Sequence, residues 1–249
     1  NLEKDIQTLL NLFNTAKFDL VITKSKKLIK KYPEYLILYN LLGSAYQNTG
    51  NYILAKNIFL KGYKMDPENI AIMNNLANVY KNIGEIELSK NLFNKIIQKK
   101  PDYINAYVNL GNLKRDNNDF KASIDLYKKA LKINDKISIT HYSLALAYQG
   151  LGNFSLAVEH ANKALVIDPR FTQADMLISQ SIKYKAGNEH YKMMCSKIEK
   201  LSFTDSQKVN LLFALAKAEE DLDQIEKSFK NLQHGNKIKR NISNFNIID

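Results

Sequence analysis

The chain has no tryptophan, one cysteine, four prolines and nine glycines in 249 residues. A lone thiol excludes any disulfide within the chain. So few helix-breaking residues favour helices joined by short loops. No run of about 18 apolar residues occurs, so no membrane-spanning helix is expected. The opening residues, NLEKDIQTLL, mix acids into an amphipathic pattern and lack the plan of a secretory leader. The chain opens on Asn1 rather than methionine, so an excerpt or processed fragment is expected, and as it stands the compartment reads as cytoplasmic.

Reactive constellations are also missing. No glycine-rich phosphate loop is present. The four histidines, His141, His160, His190 and His234, lie far apart in sequence and are assigned to different structural units. None has a second metal-type ligand at a helical spacing that fits an inward polar pocket. His141 reads as a packing residue, His160 and His234 as surface residues. Cys195 sits in an apolar pattern with Met193, Met194 and Ile198 and reads as a buried structural thiol. No catalytic residue, metal ligand or cofactor is expected, and the chain reads as non-enzymatic.

What is present is a period. Pro33, Pro67 and Pro101 are each 34 residues apart, and Pro169 follows two periods later, with Asp135 at the skipped position. Within one period Tyr39, Leu42, Gly43 and Tyr46 share a helical face. Gly50-Asn51 makes a turn, and Ala55 and Phe59 stand on the inward face of a second helix. Asp66-Pro67 ends that helix, because proline disfavours helical backbone in the residue before it. One such hairpin cannot bury its own apolar face and needs stacked copies. The next copies carry Met73, Leu76, Ala77, Tyr80 and Gly84, then Tyr107, Leu110, Gly111 and Asn118, then His141, Leu144, Ala145, Tyr148 and Gly152.

A 34-residue helix-turn-helix period with these residues resembles the tetratricopeptide repeat (TPR) family. The family's tryptophan is replaced throughout by Tyr, Met or His. The resemblance implies an all-α, right-handed superhelical solenoid of antiparallel helix pairs, about seven units long. Residues 1–35 form a degenerate first repeat, 36–171 four regular units, 172–206 a degenerate repeat, and 207–249 the C-terminal repeat and end segment, in one continuous solenoid. In residues 172–206, Met176, Ile178, Ile182 and Tyr184 suggest one helix, and Tyr191, Met194, Cys195 and Ile198 the next.

In the family the first helix of each pair lines a concave groove. Carried over by position, the groove residues are Asn40, Ser44 and Gln47, then Asn74, Asn75, Asn78 and Lys81, then Asn105, Asn109, Asn112 and Arg115, and finally Tyr142. Asn75 and Asn78 recur one period later as Asn109 and Asn112. Each carboxamide both donates and accepts, so a stacked row can hold an extended peptide by its backbone. The row resembles the asparagine ladder of O-linked N-acetylglucosamine transferase. The clamp by which TPR co-chaperones hold a terminal carboxylate is disfavoured, since Asn40 and Asn74 stand where its first lysine belongs. The expected function is a protein- or peptide-binding scaffold.

Two alternatives stand beside it. The segment from Phe213 to Arg240, with Phe213-Ala214-Leu215-Ala216, Glu220-Asp221-Leu222, Phe229 and Gly235-Asn236, resembles the closing repeat of bacterial TPR-sulfotransferase fusions. On that reading the chain recruits substrate for a catalytic part beginning after Asp249. The net charge of +11 permits nucleic-acid binding. However, lysines such as Lys24, Lys26, Lys27, Lys30 and Lys31 are spread over outer helix faces, and heavy use of Asn, Ile, Lys and Tyr reads as genomic bias. Neither composition nor period sets an oligomeric state.

Overall fold

The computed structural model describes residues 1–243. Among them fourteen α-helices follow one another in pairs, and no strand occurs. The first helices of the regular pairs are α3 (Leu36–Asn48), α5 (Ile70–Asn82), α7 (Ile104–Asp116) and α9 (Ser138–Gly150). Their partners are α4 (Tyr52–Met65), α6 (Ile86–Lys99), α8 (Phe120–Ile133) and α10 (Phe154–Ile167). Before them come α1 (Leu2–Asn14) and α2 (Phe18–Lys31); after them α11 (Thr172–Ser181), α12 (Glu189–Lys200), α13 (Asp205–Asp221) and α14 (Ile225–Ser243).

The period is written into the backbone. Ala16, Gly50, Gly84, Asn118 and Gly152 fall 34 residues apart and all have positive φ, from 54° at Ala16 to 82° at Gly84. Each sits in the turn inside a pair, where left-handed backbone reverses the chain. Glycine takes this conformation without cost, whereas Ala16 pays the clash of its Cβ with the following carbonyl. The first pair therefore holds the period even though its turn has no glycine. Several starts are capped: Asn69, Asp119 and Asn153 each accept a backbone N–H from three residues on. Thr204 and Gln207 form a reciprocal capping box at α13.

The chain divides into two compact units, Asn1–Leu113 and the part from Lys114 onward. In the first, each helix from α1 to α6 packs on its chain neighbour, and α3 also touches α1 and α5. The core between α3, α4 and α5 is made of Leu42, Tyr46, Ala55, Phe59, Ile72, Leu76 and Val79. Gly43 is required there, because a Cβ on it would stand 2.6 Å from the Phe59 ring. In the second unit α9 and α10 pack together, α11 packs on α10 and α13, and α13 packs on α14.

One expectation is corrected here. The helix assigned to Met176–Tyr184 stops at Ser181, and Ile182 and Tyr184 lie outside it. Polar ties account for the early stop. The Tyr184 N–H donates to the Asp221 carboxylate (3.1 Å), and its hydroxyl meets His190 Nδ1 (2.7 Å). The ring is thereby drawn into the core beside Met194, Leu211 and Leu215. Among the described residues no helix is long and apolar enough to cross a membrane.

Candidate functional site

In the first unit the polar residues of the inner helices recur at i, i+4 and i+7: Asn40, Ser44 and Gln47 on α3; Asn74, Asn78 and Lys81 on α5; Asn105, Asn109 and Asn112 on α7. That spacing is one helical face. All are half-buried except Asn105, which is exposed. Among these nine residues the charged one is Lys81; α7 goes on to Arg115 and Asp116 in its last turn. Other cations of this unit lie on the outer helices, as in Lys24, Lys26 and Lys27 of α2, Lys61 and Lys64 of α4, and Lys90, Lys95 and Lys99 of α6. Most of the positive charge of this unit therefore lies on helices other than α3, α5 and α7, which carry Lys81 and, in the last turn of α7, Lys114 and Arg115.

The amides do not all wait for a ligand, as a face open to solvent would require. Asn109 Nδ2 donates to Asn74 Oδ1 (3.2 Å), Asn74 Nδ2 to Asn75 Oδ1 (3.4 Å), and Asn75 Nδ2 to Asn40 Oδ1 (2.7 Å). Four carboxamides thus form one relay across α7, α5 and α3. The links between helices join residues 35 apart, so Asn75 meets Asn40, and Asn109 meets Asn74, one position off the strict period. Each amide in the relay keeps hydrogen-bonding capacity, since a carboxamide has two N–H donors and two lone pairs. Asn78 and Asn105 lie outside the relay.

Arg115 and Tyr142 lie in the second unit. Arg115 pairs with its chain neighbour Asp116 (3.1 Å). Tyr142 meets Phe171 edge-on, with ring centroids 5.1 Å apart, and burial raises its hydroxyl pKa against the opposing pull of Arg115. Its ring is thus engaged in packing.

A polar cluster not legible from the histidine and cysteine spacings stands in the degenerate repeat after the four regular units. Tyr39, Met73, Tyr107, His141 and Asp175 stand 34 residues apart, so Asp175 occupies the aromatic signature position. It is fully buried. Lys197 Nζ donates to both its oxygens at 2.7 Å and to the Pro169 carbonyl at 3.2 Å. His190 Nε2 lies 3.1 Å from Asp175 Oδ1. With the carboxylate accepting, His190 donates through Nε2 and accepts the Tyr184 hydroxyl at Nδ1. Both ring nitrogens and both carboxylate oxygens are used, so the cluster ties α11 to α12 and to Tyr184. Counting the period gives the missing signal, since Lys197 stands three periods after Lys95, whose Nζ reaches the Pro67 carbonyl at 3.3 Å.

The histidine expectations need a second correction. His141 and His160 belong to the same helix pair, with Nδ1 atoms 3.1 Å apart, and His160 is half-buried and stacked on Tyr148. Covalent neighbours on α9 and α10 pack face to face, which brings residues 19 apart into contact. His141 Nε2 reaches the Asp135 carbonyl at 2.9 Å, which fixes its proton on Nε2. Its Nδ1 then accepts from His160 Nδ1–H. The His160 pKa is pushed down to about 4 by burial first, then by Lys163 and His141. His141 is lowered as well, again mainly by burial. Among the described residues no group of three or more His, Cys, Asp or Glu side chains is placed to hold a metal ion. Burial raises the Cys195 thiol, so it is held as a thiol.

A family profile described as tetratricopeptide repeat matches residues 37–69, 70–103, 104–137 and 140–171, more than half of the chain. No curated protein matches the chain in sequence. Solved structures of similar fold include the C-terminal part of a TPR repeat-containing protein from Cytophaga hutchinsonii, with 14% identity over 92% of this chain and 94% of that chain, at a TM-score of 0.66. A tetratricopeptide repeat protein from Parabacteroides merdae shares 17% identity over 95% of this chain and 92% of that one, also at 0.66. The pilF protein of Pseudomonas aeruginosa shares 18% identity over 80% of this chain and 90% of its own, at 0.62. At these identities the likeness is one of fold. With four consecutive repeats matched, the chain belongs to the tetratricopeptide repeat family.

Proposed function

We propose that the chain is a protein-binding scaffold whose first unit holds an extended peptide by its backbone on the inner faces of α3, α5 and α7. TPR repeats mediate protein–protein interaction, and the observation that carries this reading is the amide relay across α3, α5 and α7. Neutral carboxamides that both donate and accept suit peptide N–H and C=O groups better than phosphates or charged side chains. The relay holds Asn40, Asn74, Asn75 and Asn109 in place, so a ligand meets ordered side chains and a smaller ordering cost.

The test uses Asn78 and Asn105, which lie outside the relay. Each lost hydrogen bond to a neutral backbone group is worth about 0.5–1.5 kcal/mol. Asn78→Ala with Asn105→Ala is expected to weaken a captured peptide segment by about 1–3 kcal/mol in titration calorimetry, with an unchanged thermal melt. Undiminished affinity in the folded double variant rejects the site. Affinity that falls steeply between about 50 and 200 mM salt favours nucleic-acid binding by the lysine-rich outer helices instead. Of the residues behind the sulfotransferase resemblance, Ala214, Leu215 and Ala216 are buried and the Phe213 ring lies on Gly235, whereas Phe229 is 64% exposed.

A further inference from the structure

The α9/α10 pair carries two touching histidines where the other regular pairs carry none. Counted back in steps of 34, His141 falls on Tyr107, Met73 and Tyr39, and His160 on Leu126, Leu92 and Ile58. Three pairs of the same fold do without either imidazole, so packing alone does not call for them. What the two rings add is an alignment of nitrogens. Their planes lie within 23° of each other, their centroids are 5.4 Å apart, and their Nδ1 atoms are 3.1 Å apart. That link is as short as the centroids permit, so both Nδ1 atoms lie on the line between the ring centres. The rings therefore meet edge to edge, each Nδ1 aimed at the other.

The tautomers suit a ligand pair. His141 donates from Nε2 to the Asp135 carbonyl at 2.9 Å, which leaves its Nδ1 lone pair facing His160. A backbone carbonyl behind the ring is the support that metal-bound imidazoles use, because it fixes both tautomer and orientation. Among the described residues His160 Nε2 makes no hydrogen bond, so the His160 proton can sit there instead of on Nδ1. Two lone pairs then face each other in line. Burial keeps both rings neutral at pH 7. We propose that His141 Nδ1 and His160 Nδ1 bind one copper(I) ion between them, in linear two-coordination.

The donor set selects this ion. Imidazole suits copper, and copper(I) accepts two ligands in line. Zinc takes four ligands at tetrahedral angles. The two Nδ1 atoms do not converge on such a centre, and among the described residues no third His, Cys, Asp or Glu joins them. Lys163 and Lys128 act on His160 against Glu159 alone, so a single positive charge is opposed less than a double one. Binding moves no electrons: the ion enters and stays as copper(I), two N–Cu bonds form, and the His160 proton passes from Nδ1 to Nε2. A metal–imidazole bond is about 2 Å, so the nitrogens must part from 3.1 Å to about 4 Å. His160 is half-buried and is the ring placed to yield. His141 borders an open depression with Asp135, Glu159 and Lys163, which gives the ion a way in. The site lies in the second unit and does not depend on the amide face of the first.

The test uses the full chain with Cys195→Ser, which removes a competing thiol. Under argon it is titrated with copper(I) held as its coloured bicinchoninate complex, and loss of colour reports transfer. One ion per chain is expected, with the imidazole nitrogen resonances of His141 and His160 shifting and those of His190 and His234 unmoved. Zinc(II) in excess is expected not to displace it. His141→Tyr and His160→Leu install residues found at the same positions of other pairs, so far-UV circular dichroism is expected to be unchanged while each loses the uptake. His234→Ala, at an exposed position, is expected to keep it. The proposal is overturned if no copper transfers, if either His141→Tyr or His160→Leu still takes up the ion, or if zinc displaces it. Loss of uptake in His234→Ala overturns it as well.

Discussion

The helix pairs α3/α4 and α11/α12 fill the same signature position with opposite chemistry. Tyr39 packs as an aromatic ring and ties itself back by donating its hydroxyl to the Pro33 carbonyl, six residues earlier, at 2.9 Å. His141 makes the same six-residue tie to Asp135. Asp175 has no donor to offer a carbonyl, and a carboxylate cannot be buried without a matching charge. Lys197 supplies both: it neutralises Asp175 and takes over the bond to the proline carbonyl. Tyr39, His141 and the Asp175–Lys197 pair thus each tie back to the preceding turn, through an aromatic hydroxyl, an imidazole and an ion pair. The difference is in what failure costs. The α3/α4 pair rests on apolar mass, whereas α11/α12 has a charge at its centre.

Removing that charge is expected to have the largest effect. Asp175→Ala leaves Lys197 buried without its partner and should cost about 3–5 kcal/mol by chemical denaturation. Asp175→Leu with Lys197→Met removes both charges and is expected to recover most of the loss, because a buried pair gains little over well-packed apolar residues. A double variant no more stable than Asp175→Ala would mean that His190 and Tyr184, not Lys197, depend on the carboxylate. On the apolar side, Gly43→Leu pushes side-chain atoms into the Phe59 ring and is expected to cost about 1–3 kcal/mol. A denaturation midpoint unchanged by Gly43→Leu would show that α3 and α4 are less closely packed than their geometry indicates.

A pH dependence sharpens the same contrast at His160. Its folded-state pKa lies near 4, below the ordinary 6.5, so the unfolded chain takes up the proton first. Its stabilising contribution is present above pH 6.5 and is lost as pH falls through that window toward the folded value. Denaturation series across this range are expected to slope less in His160→Phe than in the parent chain. Equal slopes would place the sensitivity in other groups.

Much of this was legible in the sequence, and the period explains why. Helix boundaries follow from Gly50, Asp66-Pro67 and their copies, because turn and stop signals act locally on the backbone. The end of α11 was not legible, since Ile182 and Tyr184 continue an apolar pattern and only the distant partners Asp221 and His190 draw them out of it. The inner-face residues could be named by position, but their pairing could not. A strict period aligns Asn75 with Asn109, whereas the packed helices bring together residues 35 apart, a shift that depends on how neighbouring pairs stack. The His141–His160 contact was hidden for a related reason: it joins two helices of one hairpin, and residues 19 apart carry no helical spacing to reveal it.

The smallest expected effect tests whether the relay belongs to the fold or stands ready for a ligand. Asn74 and Asn109 are half-buried and 3.2 Å apart across two helices, a geometry in which a neutral hydrogen bond contributes about 0.5–1.5 kcal/mol. A double-mutant cycle of Asn74→Ala and Asn109→Ala, read by denaturation of the free chain, is expected to show a coupling of about 0.5–1 kcal/mol. The Asn78→Ala and Asn105→Ala pair is expected to show none, because those side chains do not meet. If Asn74 and Asn109 are coupled in stability while Asn78 and Asn105 matter only when peptide is bound, the inner face divides its amides between two tasks. A relay with zero coupling would leave Asn74 and Asn109 as available to a ligand as Asn78, and the ordering advantage proposed for the face would be lost.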